Sequence, residues 1–545
     1  MLPSGTGKAN VTMAAGTTLD LYGNSHTING LDGAGSVTTT INTVRTLTIG
    51  SADASGTFTG TLTQGTAQTL ALAKIGNGTQ RLSGSSSYTG GTSLRGGTLT
   101  AATSGALGTG AVTITGSARR LAVLATSTLT NAIVVDGGSG TTLAGLIQHE
   151  GIGRGVLAGG TITILAHPAA GGVFGSNAGG DLLVSSPIVA AGGARVSVSS
   201  GTVTLAGGGS YAALHHDSGM LRIGAANGIA TDAVLSMATN GAATLDLAGF
   251  DQTLAGIAKG PASATIGNSS AIRDATLTVT GSSAFAGTLV DSVLGGGRRL
   301  HLAVDGGRLR LAAANTHSGT TSVANGTLWL DHAGSLGAGR LRVLAGGTAV
   351  LGPAGARAAA VAFAGGAVDV GVGRFDVAAG GIDAGTLVAQ LLVGRGDGSW
   401  TGASGIVSAA VASAIAAGES RTIGWVTNGD GSMTVAATVP GDTNLDGVMD
   451  ILDVSQFAAA GMVDAGPGAI WSDGDFNYDG VVDILDVSEF LVGGPLGQAD
   501  GGVQVASVPE PSVPVVPVLA AVLLTITAVR SSACRVPPAK STTAR

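Results

Sequence analysis

The sequence is poor in the residues that usually stabilise small or compact domains. Its 545 residues include one cysteine, Cys534, so neither a disulfide framework nor a thiolate metal site can be built. Only 14 residues are proline, which excludes a collagen-like triple helix although 94 are glycine. Aromatic residues make up only 3% of the chain. A chain with so few rings must bury many small aliphatic side chains, which favours a repetitive β architecture.

Charge is also scarce, and it is unevenly placed. Charged residues make up 11% of the chain, and the net charge is −7, from 26 basic and 33 acidic residues. Eight of the acids lie in two short segments, 442–453 and 475–486, and without them the balance is 26 against 25. No basic stripe for nucleic acid is visible, so nucleic acid is not expected as a partner. The apolar content of 44% excludes a highly charged disordered chain.

Short strands separated by glycine-rich turns are predicted for residues 1–437. Apolar and small polar residues alternate in segments such as 112–115, 196–198 and 277–279, which is the period of a strand with one buried face. Gly-Gly, Asn-Gly and Ser-Gly pairs mark the turns. A helical period is suggested only by the alanine-rich segment 406–417.

Internal repeats indicate how these strands are arranged. Residues 18–30 match residues 244–256 at an offset of 226, and residues 88–99 match residues 317–328 at an offset of 229. Such a unit cannot bury its Leu, Val and Ile side chains alone, so it must stack against its neighbours. The sequence therefore predicts a β-solenoid.

Residues 82–99, followed by the segment 105–108, resemble the autotransporter-associated β-strand repeat. That repeat occurs in passenger domains of surface-exposed and secreted bacterial proteins. The resemblance covers residues 16–120 and 200–350 best. It implies a right-handed parallel β-helix and a surface or adhesin-like role. It gives little information about enzymatic activity.

Two copies of an Asp-rich loop, 33 residues apart, carry the strongest chemical signal. Oxygen-bearing side chains stand at loop positions 1, 3, 5, 9 and 12, glycine stands at position 6, and a backbone carbonyl is expected at position 7. This spacing lets a Ca²⁺ ion gather six or seven oxygen ligands. The sequence therefore predicts two Ca²⁺ ions. The predicted ligands are Asp442, Asn444, Asp446, the Val448 carbonyl, Asp450 and Asp453 in the first loop, and Asp475, Asn477, Asp479, the Val481 carbonyl, Asp483 and Asp486 in the second.

Each loop leads into a short predicted helix with apolar residues at i, i+3 and i+4. A loop followed by one helix is half of an EF-hand, and the sequence contains two such halves. Position 12 is Asp, where an EF-hand has Glu. In this respect the pair resembles the type I dockerin module. The resemblance implies a small α-helical module that docks onto a cohesin. It places partner recognition at loop positions 10 and 11, and the alternative is that these residues only pack the core. They are Ile451, Leu452, Ile484 and Leu485.

The C-terminus combines a short motif, an apolar run and a basic tail. Val508, Pro509, Glu510 and Pro511 precede the apolar residues 513–529, which are at the short limit for a membrane-spanning helix. These features together resemble the PEP-CTERM sorting signal. That resemblance implies cleavage by an exosortase after transient membrane anchoring. The alternative is a plain tail anchor.

An export signal is not visible at the other end of the chain. The first sixteen residues contain no apolar segment of the kind found in a signal peptide. Because the C-terminus is typical of an exported protein, we expect the start of this sequence to be incomplete.

These features predict a mainly β protein with a small α-helical module and a C-terminal transmembrane helix. The predicted segments are a β-solenoid at 1–380, a capping junction at 381–437, the dockerin-like calcium module at 438–497, a linker at 498–512, the transmembrane helix at 513–529 and a basic tail at 530–545.

Two functions compete on this architecture. The first is an exported structural or adhesin-like protein of the cell surface or extracellular matrix, with a cohesin-like protein or a surface polysaccharide as partner. The second is a polysaccharide lyase or glycoside hydrolase on a β-helix. Residues 1–437 contain only 20 acids. The catalytic candidates are His149 with Glu150, His215 and His216 with Asp217, and Asp246 with Asp251. Asp20 repeats Asp246, which favours a structural role there, and we favour the non-enzymatic function.

Overall fold

The computed structural model describes residues 2–492 except 116–118, 137–145, 167–172, 178, 238–241, 259, 261 and 296. The chain forms two compact units. We call residues up to 350 together with 356–366 the N-terminal unit, and residues 351–355 together with those from 367 onward the C-terminal unit. The predicted sorting motif and the apolar run 513–529 lie outside the described residues. Across the residues described, no helix is both long enough and apolar enough to cross a membrane.

The N-terminal unit is a parallel β-solenoid of about 16 turns, as the repeats predicted. The chain visits three stacks of strands in succession, and strands one turn apart pair in parallel. Paired residues in the first stack are separated by between 18 positions, as for Val196 and Leu214, and 27 positions, as for Ile147 and Phe174. The predicted right-handedness stays a prediction.

The strands of this unit are short. Those of the first stack are Val11–Met13, Leu31–Gly33, Gly56–Phe58, Thr79–Leu82, Gly97–Ala101, Arg119–Leu124, Ile147–Glu150, Phe174–Ser176, Val196–Val198, Ala213–His216, Val234–Met237 and Gly256–Ala258. Those of the second form two separate sheets, one of Thr18–Asp20, Ser36–Thr38 and Thr61–Leu62, the other of Thr128–Leu129, Gly153–Leu157, Gly180–Val184, Thr202–Leu205, Gly219–Ile223, Ala243–Asp246, Thr265–Gly267 and Thr288–Leu289. Those of the third are His26–Thr27, Val44–Ile49, Thr69–Lys74, Thr92–Leu94, Val112–Thr115, Ile133–Asp136, Ile162–Ala166, Ile188–Ala190 and Gly209–Ser210. The remaining strands are Gln252–Leu254, Ala275–Val279, Ser283–Phe285, Leu300–Leu311, Thr321–Leu330, Arg340–Leu344, Gly347–Leu351, Ala356–Ala358 and Ala360–Ala364.

Aliphatic side chains fill the interior in columns that run from turn to turn. In the third stack, Val112 pairs with Ile133, Ile133 with Ile162, and Ile162 with Ile188. All four side chains are buried. Neighbouring strands lie about 4.8 Å apart, so each side chain packs on the next one along the column. Burying a side chain of this size contributes about 1.5–3 kcal/mol, which explains how the chain folds with so few aromatic residues.

The long-range sequence repeats occupy equivalent places in the solenoid. The Tyr88 hydroxyl lies 2.6 Å from the Thr92 hydroxyl, and at an offset of 229 the His317 Nε2 lies 3.1 Å from the Thr321 hydroxyl. All four side chains are buried. The two copies therefore keep one interior polar contact while they exchange a phenol for an imidazole.

Two glycines fix the turn that follows this contact. Gly108 and Gly337 both have a φ of +59°, in the left-handed region that glycine adopts most readily. A Cβ atom at either glycine would approach the carbonyl oxygen of Tyr88 or His317 to 2.2 or 2.4 Å. Glycine is therefore required at both positions by conformation and by space.

The C-terminal unit combines a small antiparallel sheet with helices. Met433–Thr438 pairs with both Arg374–Val377 and Thr422–Thr427, and Ala367–Asp369 runs parallel to Gly405–Val407. The helices are α1 (Ala384–Arg395), α2 (Ala409–Ala416), α3 (Ile451–Ala460) and α4 (Ile484–Val492). Short 3₁₀ turns occur here at Trp471–Asp473 and in the N-terminal unit at Ser51–Asp53.

Helix α2 lies within the alanine-rich segment that suggested a helix, whereas α1 was not predicted. The Asp383 carboxylate caps α1 by accepting a hydrogen bond from the Thr386 N–H at 2.8 Å. Helix α1 buries only Leu387, Leu391 and Gly394. So few large apolar residues leave almost no helical period in the sequence.

Candidate functional site

The two Asp-rich loops begin with the same pair of hydrogen bonds. Asp442 accepts one from the Asp446 N–H at 3.2 Å and one from the Gly447 N–H at 3.1 Å. Asp475 accepts the equivalent two in the second loop, at 3.1 and 3.0 Å. The first carboxylate therefore sets the sharp turn that brings the middle of each loop back toward its start.

The last carboxylate of each loop joins the loop to the helix that follows. Asp453 accepts hydrogen bonds from the Thr443 N–H at 2.9 Å and from the Asp450 N–H at 2.8 Å. Asp486 accepts the equivalent bonds at 2.9 and 3.0 Å. Both carboxylates are fully buried, and both lie in the first turn of their helix. The short side chain of Asp at position 12 thus lets its carboxylate accept hydrogen bonds from the backbone of its own loop.

The predicted ligands at positions 3, 5 and 9 also repeat their contacts. In the first loop Asn444 accepts from the Asp446 N–H at 2.8 Å, Asp446 from Val448 at 2.9 Å and Asp450 from Leu452 at 2.7 Å. The second loop has the same three bonds at the same lengths. Within the described part of the chain, no group of three or more His, Cys, Asp or Glu side chains forms a metal-binding arrangement. The carboxylates are held by backbone N–H groups.

Burial perturbs the acids of both loops in the same direction. It raises the pKa of Asp442 and of Asp475 to about 6, and neighbouring carboxylates add to the effect. Burial also raises the pKa of Asp453 and Asp486. In all four carboxylates burial is the largest cause of the raised pKa. Each loop therefore holds acids whose burial opposes ionisation.

Aromatic side chains fix the loops within the C-terminal unit. The Trp471 indole N–H donates to the Asp442 carbonyl at 2.8 Å, and the Tyr478 hydroxyl donates to the Ile423 carbonyl. The Trp471 ring lies 5.0 Å from that of Phe476 and 5.7 Å from that of Tyr478, between centroids. Residues of the predicted junction and of the predicted calcium module therefore pack into one core.

A salt bridge links the second loop and its helix to α1. Arg395 forms an ion pair with Glu489 of α4 at 3.1 Å. Its guanidinium also donates to the Asn477 carbonyl at 3.2 Å. Because α1 was not predicted, neither contact could be anticipated from the sequence.

The four predicted docking residues lie on the surface at the start of α3 and α4. The exposed fractions of Ile451, Leu452, Ile484 and Leu485 are 41, 58, 56 and 58%. These side chains do not pack in the core of the unit. The two pairs form an apolar surface that repeats with the loops.

Four of the catalytic candidates, His149, Glu150, His216 and Asp246, make contacts within the solenoid's own structure. His149 is buried, with Nδ1 2.9 Å from the Val123 carbonyl oxygen. His216 is also buried, with Nε2 3.0 Å from the Thr244 carbonyl oxygen. Glu150 lies 3.5 Å from Arg120. These groups hold neighbouring turns together.

Asp246 and Asp20 take the same structural position, as their sequence repeat suggested. Asp246 is fully buried, accepts from the Ala248 N–H at 2.9 Å and pairs with Arg222 at 3.0 Å. Asp20 accepts from the Tyr22 N–H, also at 2.9 Å. Tyr22 and Ala248 are both left-handed, with φ of +40° and +49°. Both carboxylates stabilise the turn that leaves the second stack.

The structure also contains a cleft that the sequence did not indicate. It has a volume of about 550 Å³ and lies in the C-terminal unit between α2, the antiparallel sheet and the first Asp-rich loop. Arg374, Glu419 and Arg421 supply its charged lining beside Asp442 and Asp446. The opposite wall is formed by small apolar residues of α2.

The fold and its repeats define the class of protein. Residues 72–101 and 304–330 match the family model described as passenger-associated-transport-repeat, and both segments lie in the solenoid. The match covers about a tenth of the chain and includes Tyr88 and His317. Searches of curated proteins and of solved structures found no match. Repeats of this type on a β-solenoid indicate a secreted or cell-surface, autotransporter-like passenger. They favour a structural or passenger role and carry no information on catalysis.

Proposed function

We propose that this protein is an exported structural protein with an adhesin-like role, on the cell surface or in the extracellular matrix. The observation that carries the proposal is the solenoid of about 16 turns whose repeats match the passenger type. A stack of turns grows in one direction and presents a long surface, which suits reach and contact. The engagement of His149, His216 and Asp246 in the solenoid's own hydrogen bonds supports the structural role.

We further propose that each Asp-rich loop binds one Ca²⁺ ion. The donor set is entirely oxygen, which Ca²⁺ prefers. The two loops also share the backbone hydrogen bonds to the carboxylates at positions 1, 5, 9 and 12. Eight clustered carboxylates repel one another when no cation is near. A bound ion would stabilise the charged form of Asp442 and Asp475, whose burial now opposes ionisation. Calcium would thus make the C-terminal unit rigid and ready for docking.

Calorimetry of the full chain, first stripped with a chelator, is expected to report two Ca²⁺ ions. Asp442→Ala and Asp475→Ala should each leave one ion, because each removes the first ligand of one loop. Asp464→Asn is the matched control, since Asp464 is exposed and lies between the loops, and it should keep two. Calcium at about 100 times its dissociation constant should add about 2.7 kcal/mol per bound ion to the stability of the C-terminal unit. Absence of binding heat and of thermal stabilisation would overturn this part of the proposal.

The exposed pairs at the start of α3 and α4 are proposed as the docking surface of this module. Ile451 and Leu452 lie next to the first loop, and Ile484 and Leu485 lie next to the second, so calcium would fix their positions. An apolar, repeated surface suits a folded protein partner of the cohesin type. The solenoid remains available for a surface polysaccharide.

The C-terminal motif is proposed to direct sorting by an exosortase-type enzyme. Cells that express the gene from its natural start, which we expect to lie upstream of Met1, should expose the protein to added protease and release a product shortened near Val508–Pro511. Replacing Pro509 and Pro511 by alanine should retain the uncut chain in the membrane fraction. Replacing Pro537 and Pro538 in the basic tail is the control and should leave sorting unchanged. A chain that stays inside the cell in every variant would refute the surface role itself.

A further inference from the structure

The strongest unassigned feature is a gathering of arginines on one side of the last turns of the N-terminal unit. Residues 273–357 contain eight arginines and four aspartates, whereas the whole chain carries a net charge of −7. Arg299 and His301 lie on one turn, and Arg340 and Arg342 project to the same side two turns further on; we call these four residues the basic face. Its three arginines are exposed.

The strand register fixes how this face is arranged. Arg340 and Arg342 alternate with the buried Leu341 and Val343, so both point outward about 6.7 Å apart along one strand. Leu341 pairs with Thr321, and Thr321 pairs with Leu302. Arg340 therefore lies two turns from His301 in the same outward column, at about 9.6 Å.

Small side chains separate and border the charged ones. Ser322 pairs with Arg342, and Thr320 donates its N–H to His301 Nδ1 at 2.9 Å in the turn between the two charged rows. On the far side, Arg340 pairs with Ala360 and Arg342 with Ala362. The guanidinium groups thus stand above a floor of hydroxyls and methyl groups, open to an extended ligand.

The acids of this region already have partners, and one of them, Asp274, contacts His301 of the basic face. Asp331 pairs with Arg310, and Asp274 contacts Arg298 at 3.5 Å and His301 at 3.6 Å. Asp291 accepts the Leu300 N–H and Asp305 accepts the Asn325 amide. Asp274 also accepts the Arg299 backbone N–H at 3.2 Å. Within the residues that the structure describes, the guanidinium groups of Arg299, Arg340 and Arg342 form no ion pair with an acid. The positive charge of these three arginines is therefore available to a ligand.

We propose that the basic face binds an acidic polysaccharide, one that carries carboxylate or sulfate groups at regular intervals. Arginine presents a planar fork of donors that matches such groups, and no lysine contributes to the face. The hydroxyls between the charged rows supply contacts for sugar hydroxyls. The inference names the ligand class of the proposed adhesive role and rests on that role for its biological meaning.

Nucleic acid is the less favoured polyanion. Binding of single strands uses exposed aromatic platforms for base stacking. The basic face carries none, and Trp329 on the adjoining strand segment is covered by the Arg308 guanidinium, 5.3 Å from the ring centroid. Tight duplex binding neutralises about 6–10 phosphates, more than this face can.

Binding of the purified full chain to immobilised polygalacturonate, dextran sulfate and neutral dextran tests the proposal. We expect the acidic polymers to bind, with affinity that falls as salt rises, and neutral dextran not to bind. The double variant Arg340→Ser with Arg342→Ser, which copies the hydroxyls of the preceding turn, should lose at least tenfold in affinity. The lysine pair R340K and R342K should lose less, since the charge remains.

The control is Arg81→Ser with Arg95→Ser, which removes the same charge from exposed arginines many turns away. The affinity of this control for the acidic polymers should lie within twofold of the wild-type affinity. All variants should keep the melting temperature of the wild type. Equal losses in both serine pairs, no binding to either acidic polymer, or tighter binding to single-stranded DNA would each overturn the proposal. The cell-surface assay does not depend on this result. If the chain fails to bind acidic polysaccharide, the ligand class is wrong, and the surface role is still tested by that assay.

Discussion

Replacing Trp471 by alanine is expected to lower the free energy of unfolding of the C-terminal unit by about 3–5 kcal/mol. The side chain is fully buried and contacts the rings of Phe476 and Tyr478. Its removal leaves a cavity and also leaves the Asp442 carbonyl without its indole donor. Helices α1 to α4 all lie in this unit, so urea unfolding followed by helical circular dichroism reports on it.

A conservative variant separates the two contributions. Trp471→Phe keeps most of the ring packing and loses the hydrogen bond, which should cost about 1–2 kcal/mol. Because the indole donor reaches the first Asp-rich loop, Trp471→Ala should also weaken the proposed Ca²⁺ binding at that loop more than at the second. A loss below 1 kcal/mol for the alanine variant would contradict this packing account.

Lowering the pH from 7 to 4 is expected to destabilise the solenoid around His317 by about 3 kcal/mol. Burial lowers the pKa of His317 from 6.5 to about 4, with Asp291 opposing the shift and His301 adding to it. The unfolded chain therefore binds the proton more readily than the folded one. The stability that this neutral histidine contributes is fully present above pH 6.5 and is lost as the pH falls toward 4.

The repeat itself supplies the variant that tests this effect. His317→Tyr installs the residue found at the matching Tyr88 position, which makes the same contact with a threonine. His317→Gln is a smaller neutral alternative in case the phenol overpacks. The wild type should lose about 3 kcal/mol more than either variant between pH 7 and pH 4. Comparison of variants at each pH cancels the contribution of other groups, including His216, whose pKa burial also lowers. Identical pH profiles would show that His317 is not responsible.

The solenoid could be predicted because its repeats are visible as matching strings. Asp20 and Asp246 make the same hydrogen bond in equivalent turns, as their sequence offset indicated. Tyr88 and His317 likewise make equivalent interior contacts, each with a threonine. The position of each loop oxygen could likewise be read from spacing, because the Asp-rich loops are local structures. The hydrogen bonds within each loop then follow, because their donors and acceptors lie only a few residues apart in the chain.

The parts that escaped prediction depend on contacts distant in sequence. Trp471 reaches a carbonyl 29 residues away, and Tyr478 one 55 residues away, and no local pattern encodes either. Helix α1 escaped because only Leu387 and Leu391 mark its buried face. The basic face escaped because the chain as a whole is acidic, and the register that aligns His301 with Arg340 emerges only from the folded stack.

The parallel pairing of turns also determines how the solenoid responds to tension. Hydrogen bonds between neighbouring strands lie across the strands, so in a stack of turns they run along its length. A pull on the two ends of the stack therefore acts on the turns in series, so they break one after another instead of all together. Each released turn of 18 to 30 residues would extend to roughly 60–100 Å of chain. A solenoid of this kind therefore yields in small steps and keeps the remaining turns folded while it lengthens.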